Sequence, residues 1–116
     1  MAREAIATVS TTGTISSPDK IAPDEARSIL VALDRTSWTD FSGAQLVVSV
    51  FASLDGVKWE MCGNARCKCG PAEYDGKPAP KWAMEAQLPK GAGRRIRVEI
   101  TCLGKAVDSA VEMEFL

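Results

Sequence analysis

Gln45–Cys62, QLVVSVFASLDGVKWEMC, is the stretch whose reading decides the fold. Its first ten residues are rich in Val, Leu and Phe, which suit a pleated, half-buried surface, and Asp55-Gly56 is the dipeptide that favours a two-residue type I′ turn. The spacing predicts a β-hairpin with Leu54 opposite Val57, Ala52 opposite Trp59 and Val50 opposite Met61. In that register Leu46, Val48, Val50, Ala52, Leu54, Val57, Trp59 and Met61 share one face, which is expected to be core. Val47, Ser49, Phe51, Ser53, Lys58, Glu60 and Cys62 form the other face, polar near the turn yet carrying two large apolar groups, Val47 and Phe51.

Outward from the hairpin, the chain keeps alternating. Ser28–Arg35 places Ile29, Val31 and Leu33 on one side. Trp82–Leu88 does the same with Trp82, Met84, Ala86 and Leu88, although its Ala, Met and Glu content would also suit a short helix. Arg94–Leu103 has the cleanest pattern, with Ile96, Val98, Ile100 and Cys102 inward and Arg95, Arg97, Glu99 and Thr101 outward. Val107–Leu116 puts Val111, Met113 and Phe115 against Glu112 and Glu114. Turn signals separate these runs: Ser17-Pro18-Asp19, Ala22-Pro23-Asp24, the Pro89–Gly93 cluster and Gly104-Lys105. Thr36–Ala44 reads as a loop whose Trp38 and Phe41 plug one end of the core. Gly63–Lys81 has no periodicity and reads as a long irregular loop, a place to look for partner contacts. The result is an all-β chain, an antiparallel β-sandwich of jelly-roll or immunoglobulin-like type with seven to eight strands. Residues 1–17 are expected to form an N-terminal arm or short edge strands, and 18–116 a single domain with the long loop at 63–81.

Composition narrows the function classes. The chain has 116 residues, 46% hydrophobic and 25% charged, with a net charge of −1 and both signs interspersed. That length suits one domain with one core. The charge balance gives no basic patch for nucleic acid and no cationic face for an anionic membrane. No apolar run approaches the ~18 residues of a membrane span, and MAREAIATVSTTG lacks the apolar core of a secretory signal. The expectation is a protein made and folded in a cytoplasm, with its cysteines as thiols.

The cysteines, Cys62-x4-Cys67-x-Cys69 and a distant Cys102, are the first candidate chemistry. A structural zinc site needs four converging ligands, and the chain has no histidine. In the expected register Cys62 points away from the core and Cys102 into it, so the four thiols do not converge. No metal or other cofactor is expected. In an oxidising medium Cys62 or Cys67 could pair with Cys69. Without histidine the usual general base is also missing, and there is no GxGxxG, P-loop or HExxH, so no enzymatic role is expected. Ser53–Trp59, SLDGVKW, is similar to a shortened Asp-box turn of sialidase propellers, with an architectural role: Asp55 and Gly56 close the turn and Trp59 covers the hairpin end.

The succession LVALDRTSWTD (Leu30–Asp40), VVSVFASLDGVKW (Val47–Trp59) and LPKGAGRRIRVEITCLG (Leu88–Gly104), followed by a closing strand, resembles small β-sandwich structural proteins of tailed bacteriophage virions. That resemblance implies a non-enzymatic capsid decoration (cement) protein or a head-tail or tail accessory. It would be assembled in the host cytoplasm and carried in the virion, bound to capsid or tail subunits and to its own copies. The candidate partner-binding residues are Val47 and Phe51 on the sheet, Cys67, Cys69 and Tyr74 in the loop, and Trp82 at its end. Burying Val47 and Phe51 at an interface would contribute about 1.5–3 kcal/mol each. The alternative is a carbohydrate- or cell-surface-binding module using Trp38, Phe41, Tyr74 or Trp82 as stacking platforms.

Overall fold

The computed structural model describes residues 3–33, 43–68, 73–74, 77–78 and 82–116. Among them there are eleven strands and no helix: β1 (Glu4–Val9), β2 (Gly13–Ser16), β3 (Lys20–Ile21), β4 (Ser28–Leu33), β5 (Gln45–Ser53), β6 (Glu60–Lys68), β7 (Glu73–Tyr74), β8 (Lys77–Pro78), β9 (Trp82–Gln87), β10 (Arg95–Leu103) and β11 (Ser109–Phe115). Nine of them build two antiparallel sheets, one in the order β1-β11-β4-β9 and one in the order β2-β10-β5-β6 with β3 also on β10. Among the described residues, the short β7 and β8 pair only with each other.

Alternation explains which side of each sheet is core. On β10, Ile96, Val98, Ile100 and Cys102 are buried and lie opposite Ala52, Val50, Val48 and Leu46 of β5. Residues directly opposite each other point to the same face, so one cross-strand register buries both sets together. The second sheet answers with Ile29, Val31 and Leu33 of β4 and Val111, Met113 and Phe115 of β11. The chain is thus an antiparallel β-sandwich, and nine strands rather than seven or eight make its two sheets. The additional strands come from the Ser/Thr-rich N-terminal segment, where β1 pairs with β11 and β2 and β3 pair with β10. Lys20 Nζ joins the two layers at that edge, donating to Glu4 Oε1 at 2.6 Å.

One end of the sandwich is tied by a buried cation. Arg94, 2% exposed, donates from Nη1 to the carbonyls of Ala26 and Pro89 and from Nη2 to those of Pro23 and Asp24. A planar guanidinium can reach four carbonyls at once because its donors are held in a fixed fork. This clamps the Pro23–Arg27 connection to the Pro89–Gly93 turn.

The β5–β6 hairpin departs from the expected register. Its loop has six residues, 54–59, instead of two, and Ala52 pairs with Glu60 and Phe51 with Met61. Side-chain hydrogen bonds hold this wider turn open. Asp55 Oδ1 accepts from the backbone N–H of Val57 and of Lys58, both at 2.8 Å, and from Ser53 Oγ at 3.0 Å, while Gly56 N–H donates to Ser53 Oγ at 2.8 Å. Gly56 sits at φ 78°, which suits glycine alone. A one-residue slip moves side chains to the other face. Met61 therefore lies outward at 56% exposure, and Leu54 and Val57 are exposed on the loop, where core positions were expected.

A bulge at Cys62 then restores parity, so that Gly63, Ala65 and Cys67 face Val50, Val48 and Leu46. Gly63–Lys68, expected as irregular loop, is thus strand. Its glycine is required by close packing, since a Cβ there would lie 2.8 Å from Ala86 Cβ on β9. Cys62, expected outward, packs half-buried against the core.

Candidate functional site

Two sheet faces point away from the core, and the outer face of the five-stranded sheet concentrates the chemically distinctive side chains. The strand register lays them out in rows. Arg95 lies between Ile21 of β3 and Ser53 of β5. The next row along β10 is Arg97, Phe51 and Met61, followed by Glu99, Ser49 and Asn64, and then Thr101, Val47 and Arg66. Two neutral hydrogen bonds knit the polar rows: Asn64 Nδ2 donates to Ser49 Oγ at 2.8 Å, and the Thr14 and Thr101 hydroxyls are 2.8 Å apart.

The 54–59 loop folds over this face. A Cβ at Gly56 would stand 3.3 Å from an Arg95 guanidinium nitrogen, which places the loop backbone on Arg95. Trp59 covers Arg97, whose guanidinium carbon is 4.2 Å from the ring centroid. Asp19 grips the same guanidinium, accepting from Nε at 2.9 Å and from Nη2 at 3.3 Å. The Arg97 hydrogen bonds hold the Asp19 carboxyl below its ordinary value. Arg97 is therefore fixed from two sides. Met61, at 56% exposure, ends the Arg97 row, Ile21, at 67%, sits beside Arg95, and Val57 on the loop is 79% exposed.

The arrangement suits contact with another macromolecule. Trp, Phe, Met and Arg are the residue types enriched at protein interfaces, and a held arginine loses little rotamer freedom on docking. A cleft of about 220 Å³ behind the loop is lined by Ser53, Asp55, Lys58 and Glu60, with Asp55 already engaged in the turn. The hydrogen bonds from Lys58 and Val57 hold the Asp55 carboxyl below its ordinary range. Among the described residues, no group of three His, Cys, Asp or Glu side chains converges to hold a metal ion.

The candidate residues separate into distinct environments. Val47 and Phe51 lie half-buried on the outer face of β5, separated there by Ser49. Cys67 is 1% exposed and belongs to the core, because the Cys62 bulge turns it inward, so its thiol does not reach a partner surface. Trp82 lies opposite Leu33 and packs half-buried against the core. Cys69, Trp38 and Phe41 lie outside the described residues, as does the side chain of Tyr74, whose backbone belongs to β7. Trp59 and Met61, expected in the core, are surface groups here, and Arg97, expected outward, is so but was not among the candidate site residues. The Ser53–Asp55 pair signals a turn held by side-chain hydrogen bonds, but not how many residues that turn absorbs and hence not the parity of β6.

Fold and site together define a small β-sandwich with one aromatic, arginine-bearing outer face. No protein-family model and no curated protein sequence matches the chain. Among solved structures, it is similar in fold to the Yersinia pseudotuberculosis-derived mitogen, with a TM-score of 0.55 and 8% identity over 99% of this chain and 85% of that one. It is also similar to PirA, with a TM-score of 0.51 and 13% identity over 98% of this chain and 93% of that one. At these identities the likeness is one of architecture.

Proposed function

We propose that this protein is a non-enzymatic structural module that docks on neighbouring protein subunits through the outer face of its five-stranded sheet. In its finer form the reading is a component of a tailed-phage virion, a decoration protein or a head-tail or tail accessory, assembled in the host cytoplasm. The carrying observation is the composition of that face: Phe51 and Met61 share a row with Arg97, and Trp59 stacks on that guanidinium, already fixed by Asp19. The finer reading rests on the resemblance of the Leu30–Asp40, Val47–Trp59 and Leu88–Gly104 segments to phage β-sandwich proteins.

The test is to purify the particles encoded by the genome that carries this gene and to probe them for this chain. The protein is expected in intact particles, and Val57→Asp/Met61→Asp is expected to lose incorporation while folding normally. Absence from the particles, together with glycan-array binding lost on Trp59→Ala, would replace this reading with a carbohydrate-binding one.

A further inference from the structure

The two sheets carry opposite charge. The strands of β1-β11-β4-β9 contain Glu4, Glu85, Glu112 and Glu114 and no lysine or arginine. Glu4 is engaged with Lys20 at the sheet edge, and Glu85 Oε1 accepts from Ser28 Oγ at 2.7 Å. Glu85, Glu112 and Glu114 sit at outward register positions: Glu112 lies between Ala5 and Ala32, while Glu114 and Glu85 flank Leu30. Neighbouring outward positions are Ala83, Ala110 and Thr8, so the acidic face is a floor of short side chains with Leu30 standing among them. Its carboxylates are separated by one or two pleat spacings, roughly 7–10 Å. That is within the Debye length of about 10 Å at ordinary salt, so they repel one another. The fold itself draws no benefit from that repulsion.

The opposite face is its complement. Arg66, Arg95 and Arg97 rise there around Phe51 and Met61, against Glu99 and the Asp19 already bound to Arg97. A two-fold contact of the four-stranded face with itself would oppose glutamates alone, and one of the five-stranded face would offer its arginines only Glu99 besides the Asp19 already bound to Arg97. A front-to-back contact sets the arginines of one copy against the three glutamates of the next.

We propose that the five-stranded face receives the four-stranded face of a second copy of this chain, so that copies stack front to back. The inference rests on the reading of the five-stranded face as a docking surface and names its occupant. Arg66 and Arg95 of one copy meet Glu112 and Glu85 of the next, and the Val57 and Met61 side chains settle on the alanine floor. Each contact leaves one face of each kind open at the ends. The contact is therefore heterologous and propagates into a ring or an open stack, according to its rotation.

Two variants test it, each checked for native circular dichroism and an unchanged urea midpoint. Glu85→Lys/Glu112→Lys reverses the acidic face and leaves the cationic one intact; Arg66→Gln/Arg95→Gln neutralises the cationic face and leaves the acidic one intact. In sedimentation velocity at low salt, the wild type is expected to grow in mass with concentration and to dissociate as salt is added. Each variant alone is expected to remain monomeric. Their equimolar mixture is expected to form a dimer that grows no further, because only one competent pair of faces exists.

Continued association of the glutamate variant alone, or no dimer in the mixture, would overturn the stacking. A wild type that stays monomeric but binds purified particles would also overturn it, and would leave the docking reading standing. A wild type that binds neither itself nor particles would remove both.

Discussion

The Arg97 guanidinium lies 4.2 Å from the centroid of the Trp59 ring, and this stack fastens the 54–59 loop to the outer face of the five-stranded sheet. The attraction is electrostatic, between the cation and the negative face of the ring, and Asp19 orients the cation for it. Trp59→Ala and Arg97→Ala are each expected to lower the urea midpoint, and the double variant to lower it little further. A double-mutant cycle that found the two effects fully additive would show that the stack is not what holds the loop.

Asp55 makes the loop depend on pH. Its folded pKa is depressed below the ordinary 3.8 by the Lys58, Val57 and Ser53 hydrogen bonds, so the unfolded chain binds a proton more readily than the folded one. The stabilisation is fully present above the unfolded pKa and is lost as pH falls through the folded value. The stability advantage of wild type over Asp55→Asn is therefore expected to be constant near neutral pH and to shrink in acid below about pH 4. An advantage that stayed level down to strong acid would remove Asp55 as the source.

Gly63 is the contact point between β6 and β9. Its added Cβ would stand 2.8 Å from Ala86 Cβ and 3.2 Å from Met84 Cε. Gly63→Ala is expected to cost about 1–3 kcal/mol of unfolding free energy, the range for overpacking. Gly63→Ala/Ala86→Gly should recover part of that loss, measured by chemical denaturation at constant m-value.

Arg94→Lys tests the carbonyl clamp. An ammonium offers three donors from one point and cannot span the carbonyls of Pro23, Asp24, Ala26 and Pro89, leaving buried acceptors unmet. A loss of roughly 3 kcal/mol is expected, with faster amide exchange confined at first to residues 22–27 and 88–94. Retention of full stability by the lysine variant would show that water or loop rearrangement replaces the clamp.

The core-facing sets of β4, β5, β10 and β11 were legible in the sequence because a period of two in Val, Ile and Leu has one interpretation once a buried face exists. Val48 and Val98 could only point inward. The candidate face was half legible: Val47 and Phe51 followed from the same parity, but Met61 and Trp59 did not. Their placement hung on how many residues the turn absorbs, and Asp55-Gly56 is compatible with both a two-residue and a six-residue turn. The N-terminal segment is too short and too polar to reveal its partners, since β1 and β2 acquire their ladders only from β11 and β10 across most of the chain.

Alternation by itself thus determined a two-layer antiparallel β-sandwich with Leu46, Val48, Val50 and Ala52 in its core, and with Val47 and Phe51 outside it. Tertiary structure alone decided the rest of the opening hairpin. The Ser53–Asp55 hydrogen bonds widened its turn, the Cys62 bulge turned Cys67 inward, and Arg97 drew Trp59 onto the outer face. Those outcomes depend on side-chain bonds and on a cation from a distant strand. Local periodicity carries neither, and a single residue of slip is enough to exchange core for surface.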